Sequence, residues 1–428
     1  MLLSRSLDIR SALLALCVAA CGSSQHAEPG GGGSGSAADR YVIAAQRVYT
    51  APDAPPLDHA WVEIEGDHVV AVGTGAPPAV RRDDACSGGV VAVGFHNSHV
   101  HLIDPAFAGA AHAPAAGLQA ALAELTLKWG FVTITDTGSD PRDTLPLRAR
   151  VEHGELVGPT ILTAGAPLYP RDGIPFYLRD LPPAVLASLL QPATVDDALA
   201  MVARNLDAGA DGTKLFIATP QGNGEIRRMD PAIARAAVEA THKAGKLVMV
   251  HPTDVDGVTA AVDAGVDIVV HTTIDPDPSV WPAALVQRMV AQHVSVVPTL
   301  QLWGYELAKA HAPHDVSERI IKTAEVQLAA FLAAGGQVLF GTDAGYMTDH
   351  DPTEEYVRMA EAGLTPMQIL ASLTTAPAAR WNASERRGRI ADHLAADLVV
   401  LDGDPAADVT RFAQVRCAIR AGKTVYRR

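Results

Sequence analysis

His99 and His101 stand two residues apart in the run Asn97-Ser98-His99-Val100-His101. In an extended strand, side chains at i and i+2 share one face, so both imidazoles can point the same way. Two imidazoles on one face form half a site for a divalent metal. Further along come Lys214, His251, His271 and Asp343, each in or at the end of a short apolar run. A lone His-x-His pair is a weak signal, and His251 or His271 alone reads as a satisfied core histidine. Their joint occurrence, always at a run's end, points to metal-dependent hydrolysis.

Such residues need a frame that brings strand ends together. Eight strand candidates fall in the middle of the chain: 90–101, 131–137, 160–164, 213–217, 247–251, 267–271, 294–299 and 337–343. Most are continuous runs of Val, Ile and Leu, as expected of strands buried on both faces. Ala-rich helical patterns over 115–128, 195–208, 231–244 and 318–334 alternate with them. Gly245, Gly265 and Gly335 each follow a helix and precede a strand, the place of a C-terminal cap. This alternation predicts an α/β fold, a (β/α)8 TIM barrel over residues 94–385, whose active site lies at the C-terminal ends of the strands. The flanks, 41–93 and 386–428, read as β. Runs 60–65 and 68–73 form a hairpin about Gly66-Asp67, and 397–402, 415–419 and 423–426 are three more strands. Both ends are expected to build one small β-sandwich domain.

These residues resemble the metal-dependent amidohydrolase superfamily, in the branch related to imidazolonepropionase and Xaa-Pro dipeptidases. Gly94-Phe95-His96-Asn97-Ser98-His99-Val100-His101-Leu102 is similar to its first-strand signature, and Gly130 to Asp136 to its second-strand phrase. Val297-Pro298-Thr299 resembles its seventh strand, Gly341-Thr342-Asp343-Ala344-Gly345 its eighth, and Ala396-Asp397-Leu398-Val399-Val400 its closing strand. Val93 in place of Pro, and His393-Leu394 in place of Gly, depart from the pattern without touching a ligand. The resemblance extends over residues 41–428.

Lys214 sets the metal count. An unpaired charge is costly inside an apolar strand, and burial lowers a lysine pKa toward the neutral amine. A neutral amine can add CO2 to give a carbamate, and two-metal members of the superfamily carry such a bridge on the same strand. The alternative is an outward Lys214 snorkelling between helices. The resemblance implies that His99, His101 and Asp343 hold one ion, His251 and His271 a second, and carboxylated Lys214 bridges them. Water between two ions would be activated toward hydroxide, with Asp343 accepting its proton and passing it to the leaving amine. Zinc suits an imidazole-rich site, with manganese or cobalt as alternatives.

Substrate contacts are expected from the loops after the strands: Tyr169, Arg171, Phe176 and Tyr177 after the third, Gln221, Asn223 and Arg227 after the fourth, Trp303 and Tyr305 after the seventh, and Tyr346 after the eighth. An arginine beside aromatics would suit a small substrate carrying a carboxylate, such as an N-acyl amino acid or dipeptide. The leading expectation is a carboxypeptidase- or dipeptidase-like amidohydrolase. A one-metal imidohydrolase or deaminase acting on a cyclic C–N bond, with Lys214 structural, is a second reading. A non-catalytic binding lipoprotein is a third, against which the complete ligand set argues. The remaining histidines, His112, His153, His242, His293, His311, His314 and His350, are expected at the surface.

At the N-terminus, Arg5 and Arg10 precede the apolar run 11–20, too short to span a bilayer. Val18-Ala19-Ala20-Cys21-Gly22 resembles a bacterial lipobox, making 1–20 a signal peptide and Cys21 the lipidated mature N-terminus. Residues 21–40 read as a Gly/Ser tether. The expected location is therefore the bacterial cell envelope, periplasmic or surface, with the membrane as partner through the lipid. A net charge of −14 over 428 residues, with no basic cluster, excludes nucleic acid as a partner. Setting Cys17 and Cys21 aside leaves Cys86 and Cys417, too few for a disulfide scaffold. They read as two free buried thiols, although both fall in the β-rich ends and could pair in an oxidising compartment.

Overall fold

The two β-rich ends of the chain meet in one sheet. A computed structural model describes residues 40–222, 224–274 and 280–428, so Cys21, the tether and Asn223 lie outside the described residues. The N-terminal part contributes Arg40–Val48, Leu57–Glu65, His68–Thr74, Arg81–Arg82 and Val90–Val93, and the C-terminal part Leu398–Leu401, Val415–Arg420 and Lys423–Arg427. The halves join where Val90–Val93 pairs antiparallel with Leu398–Leu401. These strands form a single eight-stranded sheet. Further bonds hold its N-terminal strands to the C-terminal segment: Val69 N donates to Leu394 O at 2.9 Å, and Tyr41 Oη donates to Gly422 O at 2.8 Å. The sheet thus curls around a buried cluster that includes Ile43, Val62, Ile64, Val91, Leu398 and Ile419.

Cys86 and Cys417 belong to this cluster and are joined by a disulfide, with their Cα atoms 5.7 Å apart. This corrects the expectation of free thiols. The partners are 331 residues apart in sequence, a separation that carries no spacing signal. Only the pairing of N-terminal and C-terminal strands brings them together.

The remaining strands close a barrel. In order they are Phe95–Val100, Phe131–Asp136, Thr160–Thr163, Gly212–Phe216, Leu247–His251, Ile268–Val270, Ser295–Val297 and Gln337–Val338. The first three pair in parallel, as do the fourth to the eighth. Two seams complete the ring. Leu168 N donates to Lys214 O at 3.0 Å, linking the third strand's extension to the fourth. Ser98 N donates to Phe340 O at 2.7 Å and His101 N to Ala344 O at 2.8 Å, linking the eighth strand's extension to the first. Helices such as Ala115–Leu125, Val195–Asp207 and Pro231–Lys243 lie between strands, each burying one stripe, as Leu118, Leu122 and Leu125 show for the first. The helix expected to begin at Glu318 spans His314–Ala333. Among the described residues, no helix is long and apolar enough to cross a membrane.

Candidate metal centre

The barrel delivers the chemistry-bearing residues to one end. His99 lies inside the first strand and His101 just beyond it, Lys214 inside the fourth, His251 at the last position of the fifth, and His271 one residue past the sixth. Asp343 follows the eighth strand along the extension that pairs with the first. His99 Nε2 and His101 Nε2 each lie 3.0 Å from the same oxygen, Asp343 Oδ1. One ligand atom each from His99, His271 and Asp343 lie within 4.8 Å of one another. The His271 ring is 5.0 Å from that of His99 and 4.8 Å from that of His251. His271 therefore stands between the two expected half-sites and makes them one continuous cluster.

Backbone strain is concentrated here. His271 and Asp343 adopt left-handed backbone, with φ of 74° and 64°. This conformation costs a non-glycine residue about 1–3 kcal/mol and is held only where surrounding structure imposes it. Gly345 is part of that imposition. At φ 96°, a Cβ on it would meet His101 O at 1.8 Å, so only glycine lets the loop after Asp343 run against the first strand.

Hydroxyl and amide groups orient the candidate ligands. Thr299 Oγ1 shares a hydrogen bond of 2.6 Å with His271 Nδ1, turning Nε2 away from Thr299, and Thr137 Oγ1 lies 3.1 Å from His99 Nδ1. Asn97 Nδ2 donates to Thr342 Oγ1 at 2.7 Å while its oxygen accepts from His99 N, tying the first strand to the residue beside Asp343. Asp136, at the end of the second strand, accepts from Ser139 Oγ and Thr163 Oγ1 and so ties the loop after the second strand to the third strand. Sequence reasoning assigned none of these residues a role. Their only signal is adjacency to a ligand or a strand end.

Burial sets the protonation states. It pushes His99 and His251 down to about 3 and His271 well below its usual range. Burial opposes ionisation of Asp343, but His99 and His101 outweigh it and hold the carboxyl well below the usual range. Lys214 is 1 % exposed, and burial brings its amine down to about 7 against the opposing pull of Asp343 and Asp136. Its Nζ sits 5.3 Å above the Phe216 ring, which stacks on His251 at 4.8 Å. Lys214 thus faces the cluster and is no snorkelling surface lysine. Neutral imidazoles, a carboxylate and a partly neutral amine are the forms that bind a divalent cation.

Aromatic rings wall the cluster. Tyr169 stacks on Phe216 at 4.5 Å, Tyr177 meets Tyr346 edge-on at 5.6 Å, and Tyr305 lies 6.4 Å from Tyr346. Trp303 meets the His271 ring at 6.3 Å and donates from Nε1 to Thr272 Oγ1. Trp303 and Tyr305 sit on a helix, Leu300–Lys309, where a loop was expected. Arg171 stands apart from this wall, with its side chain 69 % exposed and nearest to the Asp172 carboxylate. Gln221 accepts from Arg179, and Arg227 lies exposed near Glu225. Of the histidines expected at the surface, all are exposed except the half-buried His350.

Residues 90–425 match the amidohydrolase family, and the chain belongs to that family. No curated protein matches it in sequence. Among solved structures it is similar to a prolidase complexed with N-methylphosphonate-L-proline, at 25% identity over 91% of this chain and 100% of that one, with a TM-score of 0.73. A Xaa-Pro dipeptidase with bound methionine gives 21% identity over 91% and 100% of the two chains and a TM-score of 0.74. A putative prolidase from Bifidobacterium longum gives 21%, 91%, 95% and 0.75.

Proposed function

We propose that this amidohydrolase cleaves a peptide-like C–N bond of a small substrate, in the manner of a carboxypeptidase or dipeptidase, at a centre of two divalent ions. Its family makes it a hydrolase of C–N bonds. One observation carries the metal assignment. Asp343 Oδ1 is buried within 3.0 Å of two imidazole nitrogens, yet accepts no hydrogen bond among the described residues. A buried carboxylate oxygen and imidazole nitrogens converging without hydrogen-bond geometry fit a cation between them. His99, His101 and Asp343 would hold one ion, and His251 and His271 the other. Lys214, as the carbamate formed by adding its neutral amine to CO2 with loss of a proton, would bridge the two. The bound ions, zinc by the nitrogen-rich donor set, would activate water and polarise the scissile carbonyl. Asp343 would accept the proton of the attacking water and deliver it to the departing amine. The aromatic wall of Tyr169, Tyr177, Trp303, Tyr305 and Tyr346 would seat the substrate's side chain. The prolidase-like structures support the dipeptidase preference.

A one-metal reading draws on a specific observation. His99, His271 and Asp343 bring one ligand atom each within 4.8 Å of one another, a set close enough for a single ion. Metal analysis of purified protein, combined with hydrolysis of a panel of dipeptides and N-acyl amino acids, tests both. Two ions per chain with turnover supports the proposal, one ion supports the alternative, and none with no turnover overturns both. The location in the envelope through lipidated Cys21 belongs to the same proposal, and a disulfide at Cys86–Cys417 accords with an oxidising compartment.

A further inference from the structure

At the opposite end of the barrel from the histidines lies a cavity of about 410 Å³, a volume typical of small-molecule sites. Its wall includes Gly94, Thr160 and Leu247, at the starts of the first, third and fifth strands, with Val93 and Asp397 from the sheet. Four cationic side chains line it: Lys246, Arg380, Arg386 and Arg387. Two carboxylates face them. Asp211 is taken by Arg148 at 2.9 Å, and Asp397 accepts from Ala421 N and lies 3.9 Å from Arg387. Arg387 also donates to Thr133 Oγ1, and Arg380 spends one nitrogen on Asp267. The balance remains positive. Lys246 and Arg386 have no side-chain partner among the described residues, and the buried donors Arg380 Nε and Trp381 Nε1 find no acceptor there. Buried donors without acceptors are rare in folded proteins and mark a place where an acceptor belongs.

We propose that this cavity binds a small ligand presenting several anionic oxygens, a phosphate or a di- or tricarboxylate. Lys246 and Arg386 supply charge from the rim, Arg380 and Arg387 supply guanidinium donors, and the Trp381 indole N–H adds a neutral one. Guanidinium donors are suited to planar or tetrahedral oxyanions. The site is separate from the hydrolytic centre, and its occupancy does not depend on which substrate that centre takes.

The test is calorimetric titration of the full chain with inorganic phosphate in one arm and citrate in the other, at ionic strength held constant with chloride. Saturable binding near one per chain is expected in at least one arm, and the arm that binds identifies the ligand chemistry. The Lys246→Gln/Arg386→Gln double variant should weaken it at least about tenfold, since a hydrogen bond to a charged group is worth that factor or more, while leaving hydrolysis unchanged. If the double variant does not fold, exposed Arg386→Gln alone carries the test, with a smaller loss expected. Absence of saturable binding in both arms, or equal binding by wild type and folded variant, overturns the proposal.

Discussion

His101 Nε2 stands 3.0 Å from Asp343 Oδ1, across the seam where the last barrel strand closes on the first. The contact depends on barrel closure, because the backbone bond from His101 N to Ala344 O sets the register that brings the two side chains level. Fold and chemistry are therefore coupled at this point. A shift of one residue along the seam would turn either side chain to the other face of its strand.

Asp343→Asn should fold and lose turnover. Asparagine is nearly isosteric, and Asp343 makes its backbone contact to His99 O through its own N–H, which the substitution leaves in place. It cannot take a proton from water, and a neutral amide is a poorer metal ligand. A fall in kcat of at least roughly 10²-fold is expected, with an unchanged far-UV spectrum. Turnover near the wild-type rate would place the base elsewhere.

Lys214 separates the two-metal from the one-metal reading. On the two-metal proposal, Lys214→Ala should reduce the metal content from two ions toward one and remove nearly all activity. Acetate or propionate should restore part of the rate by occupying the bridging position. Reconstitution of metal-free wild type should also improve with added bicarbonate, because a carbamate on Lys214 would form from CO2. A Lys214→Ala protein that keeps its metal content and turns over per folded molecule would show that the lysine is structural.

The convergence of the candidate ligands was legible in the sequence because they sit on or just past strands whose runs are short and apolar. His99 and His101 declare themselves by their separation, and His251 and His271 by ending such runs. The orienting groups were not legible. Thr137, Thr299 and Asn97 act through contacts between strands distant in sequence, and one threonine in a β-rich chain looks like another. The helical placement of Trp303 was missed for a related reason. Thr299 takes a left-handed backbone and starts the helix without a side-chain cap, so no capping pattern announces it. The Cys86–Cys417 bridge illustrates the limit for pairs joined only by tertiary structure.

That bridge should matter for stability. It ties the turn before Val90–Val93 to the strand Val415–Arg420, the barrel lying within the 331-residue separation of its partners, and closing so long a loop restricts the unfolded chain. The Cys86→Ser/Cys417→Ser pair should lose about 2–4 kcal/mol, read as a lower denaturant midpoint with an unchanged slope. Activity at low temperature should persist, since neither cysteine is near the histidines. An equal midpoint for the oxidised and double-serine proteins would deny the bridge a stabilising role.

Glu355 gives the chain a pH dependence apart from the candidate metal centre. It is fully buried on the helix Thr353–Glu361, and its Oε2 accepts from Gln301 N at 2.8 Å, at the start of the helix that carries Trp303. Burial raises its carboxyl to about 8, and the bonds from the Gln301 and Leu300 amides only partly offset that. A carboxyl whose folded pKa lies above its unfolded value of 4.5 holds its proton longer in the native state. Its contribution to stability is complete below about 4.5 and is lost as pH rises through about 8. Wild type should therefore lose thermal stability between pH 5 and 9 relative to Glu355→Gln, which keeps an oxygen acceptor for the helix and cannot ionise. A difference that grows by at least about 2 °C across this range is expected, since a kcal/mol moves Tm by about that much in large domains. The measurement is thermal unfolding of both proteins in matched buffers with metal saturating. Parallel curves at every pH would mean that Glu355 does not titrate in this window.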